Sequence, residues 1–119
     1  MGNGIAQVAA AAGHPVLLVD RSEELLKQAL ATIDKNLQPG VDKVNLAGAD
    51  KAAVLGRIAT SETLDKLASA DFVIEAVNED LDLKRGIFLD LDRICRPGVI
   101  LATNTSSISI TKIAAVTGR

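Results

Sequence analysis

Four short apolar runs, separated by stretches with helical periodicity, constrain this chain more than any other feature. They are Val16 to Asp20, Arg57 to Thr60, Asp71 to Val77 and Val99 to Thr103. Each is too short for a typical helix, and the strongest are nearly continuous in apolar character, as strands covered on both faces of a parallel sheet are. Between them lie predicted helices. Ile5, Val8, Ala9 and Ala12 form one face of the first, which Gly13-His14 closes. Leu26, Ala29, Ile33 and Leu37 stripe a second that begins at Ser22 and that Pro39-Gly40 should break. Leu83, Ile87, Leu91 and Ile94 mark a long helix stopped by Pro97-Gly98. Brief helices are expected at Asp50 to Leu55, Glu62 to Ala68 and Ser109 to Val116. Such alternation predicts an α/β fold, a doubly wound parallel sheet with right-handed crossovers. In the spatial order 3-2-1-4-5-6, the strand expected before the first helix is the one this chain lacks, and both ends are expected to be cut.

Composition narrows the partners. The 119 residues suffice for one domain, and 48% apolar with 24% charged residues suits a water-soluble core-and-shell protein. A formal net charge of -2 offers no attraction to nucleic acid or an anionic membrane, so neither is an expected partner. Two phenylalanines, without tryptophan or tyrosine, leave little to stack on bases. A single cysteine excludes an internal disulfide, and a reducing, cytoplasmic setting is expected. Cys95 reads as a small core residue. With one histidine and one cysteine, no metal site is expected.

The chemistry should lie beyond the carboxyl ends of the strands, where open parallel sheets bind ligands. Asp20 ends one strand, Asn78 and Glu79 follow another, and Asn104-Thr105-Ser106-Ser107 follow a third. Gly2 can serve as the third glycine of a G-x-G-x-x-G turn. With Gly4 it opens a helix whose free N–H groups suit a pyrophosphate. Tight helix–sheet packing explains those glycines equally well. Asp20 can accept both hydroxyls of an adenosine ribose and would repel a 2′-phosphate, which favours NAD over NADP; alternatively, Asp20-x-x-Glu23 is a helix cap. Ser106 and Ser107 could orient a substrate oxygen and Asn104 a nicotinamide ribose or amide, or all could cap the following helix. Glu79 and Lys84, five apart, read from spacing alone as a solvated helix start. His14 precedes its strand, roughly 16 Å from the opposite end, and is a turn residue. No G-x-S-x-G or Walker A turn occurs.

Taken together, Gly2-x-Gly4-Ile5-Ala6-Gln7, Val19-Asp20, Glu75-Ala76-Val77-x-Glu79, Lys84 and Asn104-Thr105-Ser106-Ser107 resemble the 3-hydroxyacyl-CoA dehydrogenase family along nearly the whole chain. The resemblance implies oxidation of L-3-hydroxyacyl-CoA to 3-oxoacyl-CoA by hydride transfer to NAD, in fatty-acid metabolism. It implies that Gly2 and Asp20 bind the cofactor and that Glu79, Lys84 and Asn104 line its nicotinamide half. Ser106 would touch cofactor and hydrogen-bond the reacting oxygen. A helical arm over about 22–56 would hold coenzyme A, with Asn36 and Lys43 at positions resembling its contacts. Pro39-Gly40 and a shortage of lysines set this arm apart from the family's. The family's catalytic histidine–glutamate pair and its helical dimerising domain are expected beyond Arg119, so the chain alone is expected to be inactive; without the first strand it is expected to be partly unfolded or to borrow a strand from a neighbour. Two rival readings are a non-catalytic module on the same fold and a dehydrogenase of free 3-hydroxy acids.

Overall fold

All four apolar runs become strands in the computed structural model, which describes residues 2–43 and 48–119, and the side chains of 2–37 and 51–119. The chain divides into two units, Met1–Thr63 and Leu64–Arg119. The first holds α1 (Gly2–Ala11), β1 (Val16–Val19), α2 (Glu23–Lys43), α3 (Gly48–Gly56) and β2 (Ile58–Ser61). The second holds a 3-10 turn (Leu64–Ser69), β3 (Phe72–Glu75), α4 (Leu81–Ile94), β4 (Ile100–Thr103) and α5 (Ile110–Ala114). Helix and strand alternate as the periodicity predicts.

Each unit is built on one parallel strand pair. β1 lies beside β2 from Val16↔Ile58 to Val19↔Ser61, and β3 beside β4 from Phe72↔Ile100 to Glu75↔Thr103. These pairs correspond to the 2–3 and 4–5 neighbours of the expected order. In the first unit Ala6, Ala10, Ile33, Leu37, Val54 and Ile58 form the core. Arg57 ties α1 to β2 by donating to the Ala10 carbonyl at 2.8 Å, where a cation suits a helix C-terminus. In the second, Leu67, Val73, Phe88, Leu91, Cys95, Val99 and Ile113 are buried. Cys95 is the core residue expected: its Sγ lies 3.6 Å from the Leu67 carbonyl, and burial raises its thiol pKa.

Three expectations are corrected. α1 buries Ala6 and Ala10, while Val8, assigned to the inner face, is 70% exposed. Nearly every residue of α1 is apolar or small, so periodicity could not choose its face. Two alanines one turn apart allow close approach to β1, α2 and α3. α2 runs through Pro39-Gly40 to Lys43 instead of breaking there. Pro39 deprives the Lys35 carbonyl of its donor, but Leu26, Ile33 and Leu37 already anchor the preceding turns. In α4 the inward stripe is Lys84, Phe88 and Leu91, continued by Cys95, and Leu83 is 44% exposed. Leu91 belongs to both stripes; elsewhere the buried side chain is the next residue along, Lys84 for Leu83, Phe88 for Ile87 and Cys95 for Ile94. Among the described residues, no helix is long and apolar enough to cross a membrane.

Candidate functional site

The carboxyl end of β3 sets the geometry in the second unit. Side chains alternate along a strand, so Val73 and Glu75 share the buried face while Phe72 and Ile74 are exposed. A carboxylate thus enters the interior at the strand's last residue. Parallel register places Thr103 beside it, and the Thr103 hydroxyl donates to Glu75 Oε1 at 2.5 Å. The chain then turns through Val77, whose N–H donates to Glu75 Oε2 at 2.7 Å. Asp80 caps α4 by accepting from the Leu83 N–H at 3.1 Å. That cap starts the helix where its fourth residue, Lys84, falls on the inner face.

Lys84 is fully buried, with its Nζ 2.6 Å from Glu75 Oε2, 3.2 Å from the Val77 carbonyl and 3.3 Å from Glu79 Oε1. It is therefore no part of a solvated helix start. An ammonium left alone in such a place would cost several kcal/mol, and the three acceptors remove that penalty.

Glu79 carries the network to the surface. Its Oε2 accepts from Ser107 Oγ at 2.7 Å, Thr105 Oγ1 at 2.8 Å and the Ser107 N–H at 3.4 Å. These hydroxyl bonds, Ser107 foremost and then Thr105, lower its pKa to about 2, aided by Lys84 and the Ser107 N–H. Glu79 is a permanent carboxylate near neutrality, and it ties the start of α4 to the loop after β4.

The loop 104–108 carries the remaining expected residues. Asn104 begins it with its N–H donating to the Glu75 carbonyl at 2.8 Å, and Asn104 and Ser106 are exposed. Neither Ser106 nor Ser107 caps α5, since Ser109 Oγ accepts from the Lys112 N–H at 3.4 Å. Ser107 is committed to Glu79, which leaves Ser106 as the serine available to a ligand.

In the first unit Asp20 is exposed just beyond β1, its N–H donating to the Ser61 carbonyl at 3.2 Å. It does not cap α2. Ser22 does so, accepting from the Leu25 N–H at 3.2 Å, while among the described residues Asp20 Oδ1 accepts only from the adjacent Arg21 N–H. At Gly4, in the first turn of α1, an added Cβ would meet no atom of the described residues within 4 Å, so packing among them does not require the glycine. An acceptor carboxylate at a strand end and an open glycine at a helix start fit the chemistry of an NAD adenosine and its pyrophosphate. Asn36, on α2, is exposed and donates to Gln7 Oε1 at 3.5 Å; the Lys43 side chain lies outside the described residues. His14 sits at the exposed turn after α1, as expected.

Sequence reasoning missed Glu75, Thr103 and the clamping role of Thr105 and Ser107. A signal existed: Glu75 falls two residues after Val73, on the inner face, so it requires a partner.

Residues 1–119 match the model of the family described as 3-hydroxyacyl-CoA dehydrogenase, NAD binding domain. The chain is 48% identical over 119 residues to a 3-hydroxybutyryl-CoA dehydrogenase of Bradyrhizobium diazoefficiens, covering 100% of this chain and 41% of that protein. It is 42% identical over 125 residues to the mitochondrial hydroxyacyl-coenzyme A dehydrogenase of Homo sapiens, covering 100% of this chain and 40% of the other. The crystal structure of (S)-3-hydroxybutyryl-CoA dehydrogenase from Ralstonia eutropha superposes with a TM-score of 0.95 at 48% identity, over 100% of this chain and 42% of that one. The chain thus spans about two fifths of the length of the relatives it matches.

Proposed function

Since the chain belongs to the 3-hydroxyacyl-CoA dehydrogenase family and is its NAD-binding domain, we propose that the protein carrying it oxidises 3-hydroxyacyl-CoA thioesters to 3-oxoacyl-CoA. The observation that carries this reading is the placement of Glu79, Asn104 and Ser106 around the carboxyl ends of one parallel strand pair, held by a buried ion pair. NAD, when bound, supplies the acceptor for the hydride leaving the substrate's C3.

The residues divide the work. Asp20 accepts the adenosine ribose hydroxyls, and Gly2 and Gly4 let the first turn of α1 approach the pyrophosphate. Glu79 and Asn104 meet the nicotinamide half, with Lys84 acting behind Glu79. Ser106 donates a hydrogen bond to the substrate's reacting oxygen and so holds the alcohol in register with the acceptor. Asn36 and Lys43, in a helical arm over about 22–56, contact coenzyme A, with Lys43 suited to a phosphate. The base that takes the hydroxyl proton is a histidine in the remainder of the full-length protein, which is a cytoplasmic homodimer through that remainder.

Full-length protein should form NADH from 3-hydroxybutyryl-CoA but not from free 3-hydroxybutyrate. Oxidation of the free acid alone would overturn the thioester assignment. Ser106→Ala should lower kcat by roughly 10²-fold, the usual cost of one donor to a reacting oxygen.

A further inference from the structure

Glu75 touches no ligand in the reading above, yet its side chain, at the last residue of β3, is held by three donors. Its carboxylate is 1% exposed and accepts from Lys84 Nζ, the Val77 N–H and the Thr103 hydroxyl; its backbone carbonyl accepts from the Asn104 N–H. One residue thus fastens α4, the turn after β3, the end of β4 and the first residue of the loop 104–108. Lys84, by contrast, has no donor to spare. Its three N–H groups have three acceptors, and its side chain is 0% exposed. In this arrangement its ammonium is bonded to both Glu75 and Glu79, so a change at Glu75 is passed to Glu79 through it.

We infer that Glu75 is the positioning residue of this edge: through Lys84 it holds Glu79, and through Thr103 and Asn104 it holds the loop, so both segments meet the nicotinamide as one rigid surface. The inference rests on the reading that Glu79 and Asn104 face that half of the cofactor. A purely structural role would look different. Replacing a buried ion pair by neutral side chains of similar volume is often harmless to stability, because the desolvation cost of both charges disappears with their attraction. Glu75→Gln with Lys84→Met makes that exchange, whereas Lys84→Met alone leaves the Glu75 carboxylate buried without a counter-charge. A positioning role makes the double variant stable but weak in cofactor binding.

The experiment is a fluorescence titration of NADH into full-length protein, with thermal midpoints measured alongside, for E79Q, for the double variant E75Q/K84M and for the triple variant. We expect E79Q to weaken NADH binding about tenfold and E75Q/K84M to weaken it similarly at a midpoint near wild type. The triple variant should bind no worse than E79Q, because groups acting through one another are not additive. If E79Q is weakened but the double variant binds as wild type, or if the losses multiply in the triple, the inference is overturned and the functional reading stands. If E79Q binds as wild type, the placement of Glu79 at the nicotinamide fails and the inference fails with it. Should the double variant not fold, Thr103→Val removes one hold on Glu75 and leaves the ion pair. A threefold weakening there supports the inference, and unchanged binding overturns it.

Discussion

Glu79 is an exposed carboxylate with three donors from one short loop, and its low pKa makes it sensitive to acid in a defined direction. Its folded value, about 2, lies below the ordinary value of 4.5, so its contribution to stability is fully present above about pH 4.5. That contribution declines as the pH falls toward 2, when the folded carboxylate too takes up a proton. The stability gap between wild type and E79Q should therefore narrow as pH drops from 6 to 3, measured by urea midpoints. A gap that does not change with pH would rule out this account. Asp20 allows a different test. Because Ser22 caps α2, replacing Asp20 by Ser should leave the thermal midpoint nearly unchanged. It should raise KM for NAD about tenfold and erode the preference over NADP, since the charge that repels a 2′-phosphate is gone.

The helices owe their limits to single residues. α1 ends in a Schellman arrangement: the Gly13 N–H donates to the Ala10 carbonyl at 3.1 Å and the His14 N–H to the Ala9 carbonyl at 3.1 Å, with Gly13 at φ 99°. Gly13→Ala forces a side chain into that left-handed region and should cost about 1–2 kcal/mol in a denaturant titration, although the space around it is open. Ser109→Ala removes the cap of α5 and should cost about 1 kcal/mol. At the end of α4, Arg119 donates to the carbonyls of Asp92, Cys95, Arg96 and Val99 and to Asp92 Oδ1 at 2.7 Å. The Gly118 N–H and Arg119 together keep the Asp92 carboxyl below its usual pKa. Arg119→Lys should not restore what Arg119→Ala loses, since a point charge cannot bridge four carbonyls as a planar fork does.

The whole chain exposes several large apolar side chains, among them Val8, Leu89, Ile100, Ile110 and Phe72, which is 52% exposed. Water-exposed apolar area of this kind favours association. The 119-residue chain by itself should self-associate as concentration rises, seen in sedimentation velocity, and Phe72→Lys with Ile74→Lys should reduce it. A constant monomer mass across concentrations would refute this.

What could be foreseen was local. The runs Val16 to Val19 and Val99 to Ala102 were legible as strands because four apolar residues in a row have few other uses in an alternating chain. Gly13 was legible as a stop, and Pro97-Gly98 as the limit of α4, because such effects act within one turn of backbone. The inner face of α1 was not, since composition there is nearly uniform and the neighbours alone choose Ala6 and Ala10. The fate of Lys84 was illegible for a further reason. A lysine pattern reads as solvated, and burial becomes tolerable only when Glu75, nine residues earlier, and Thr103, 28 residues after that, are brought to the same point. The order of strands and helices, the stops at Gly13 and Pro97-Gly98, and the family motifs were therefore properties of the chain as a string. Charge compensation acts between distant residues at hydrogen-bond range, so the burial of Lys84 and the clamp on Glu79 existed only once β3, β4 and α4 had packed.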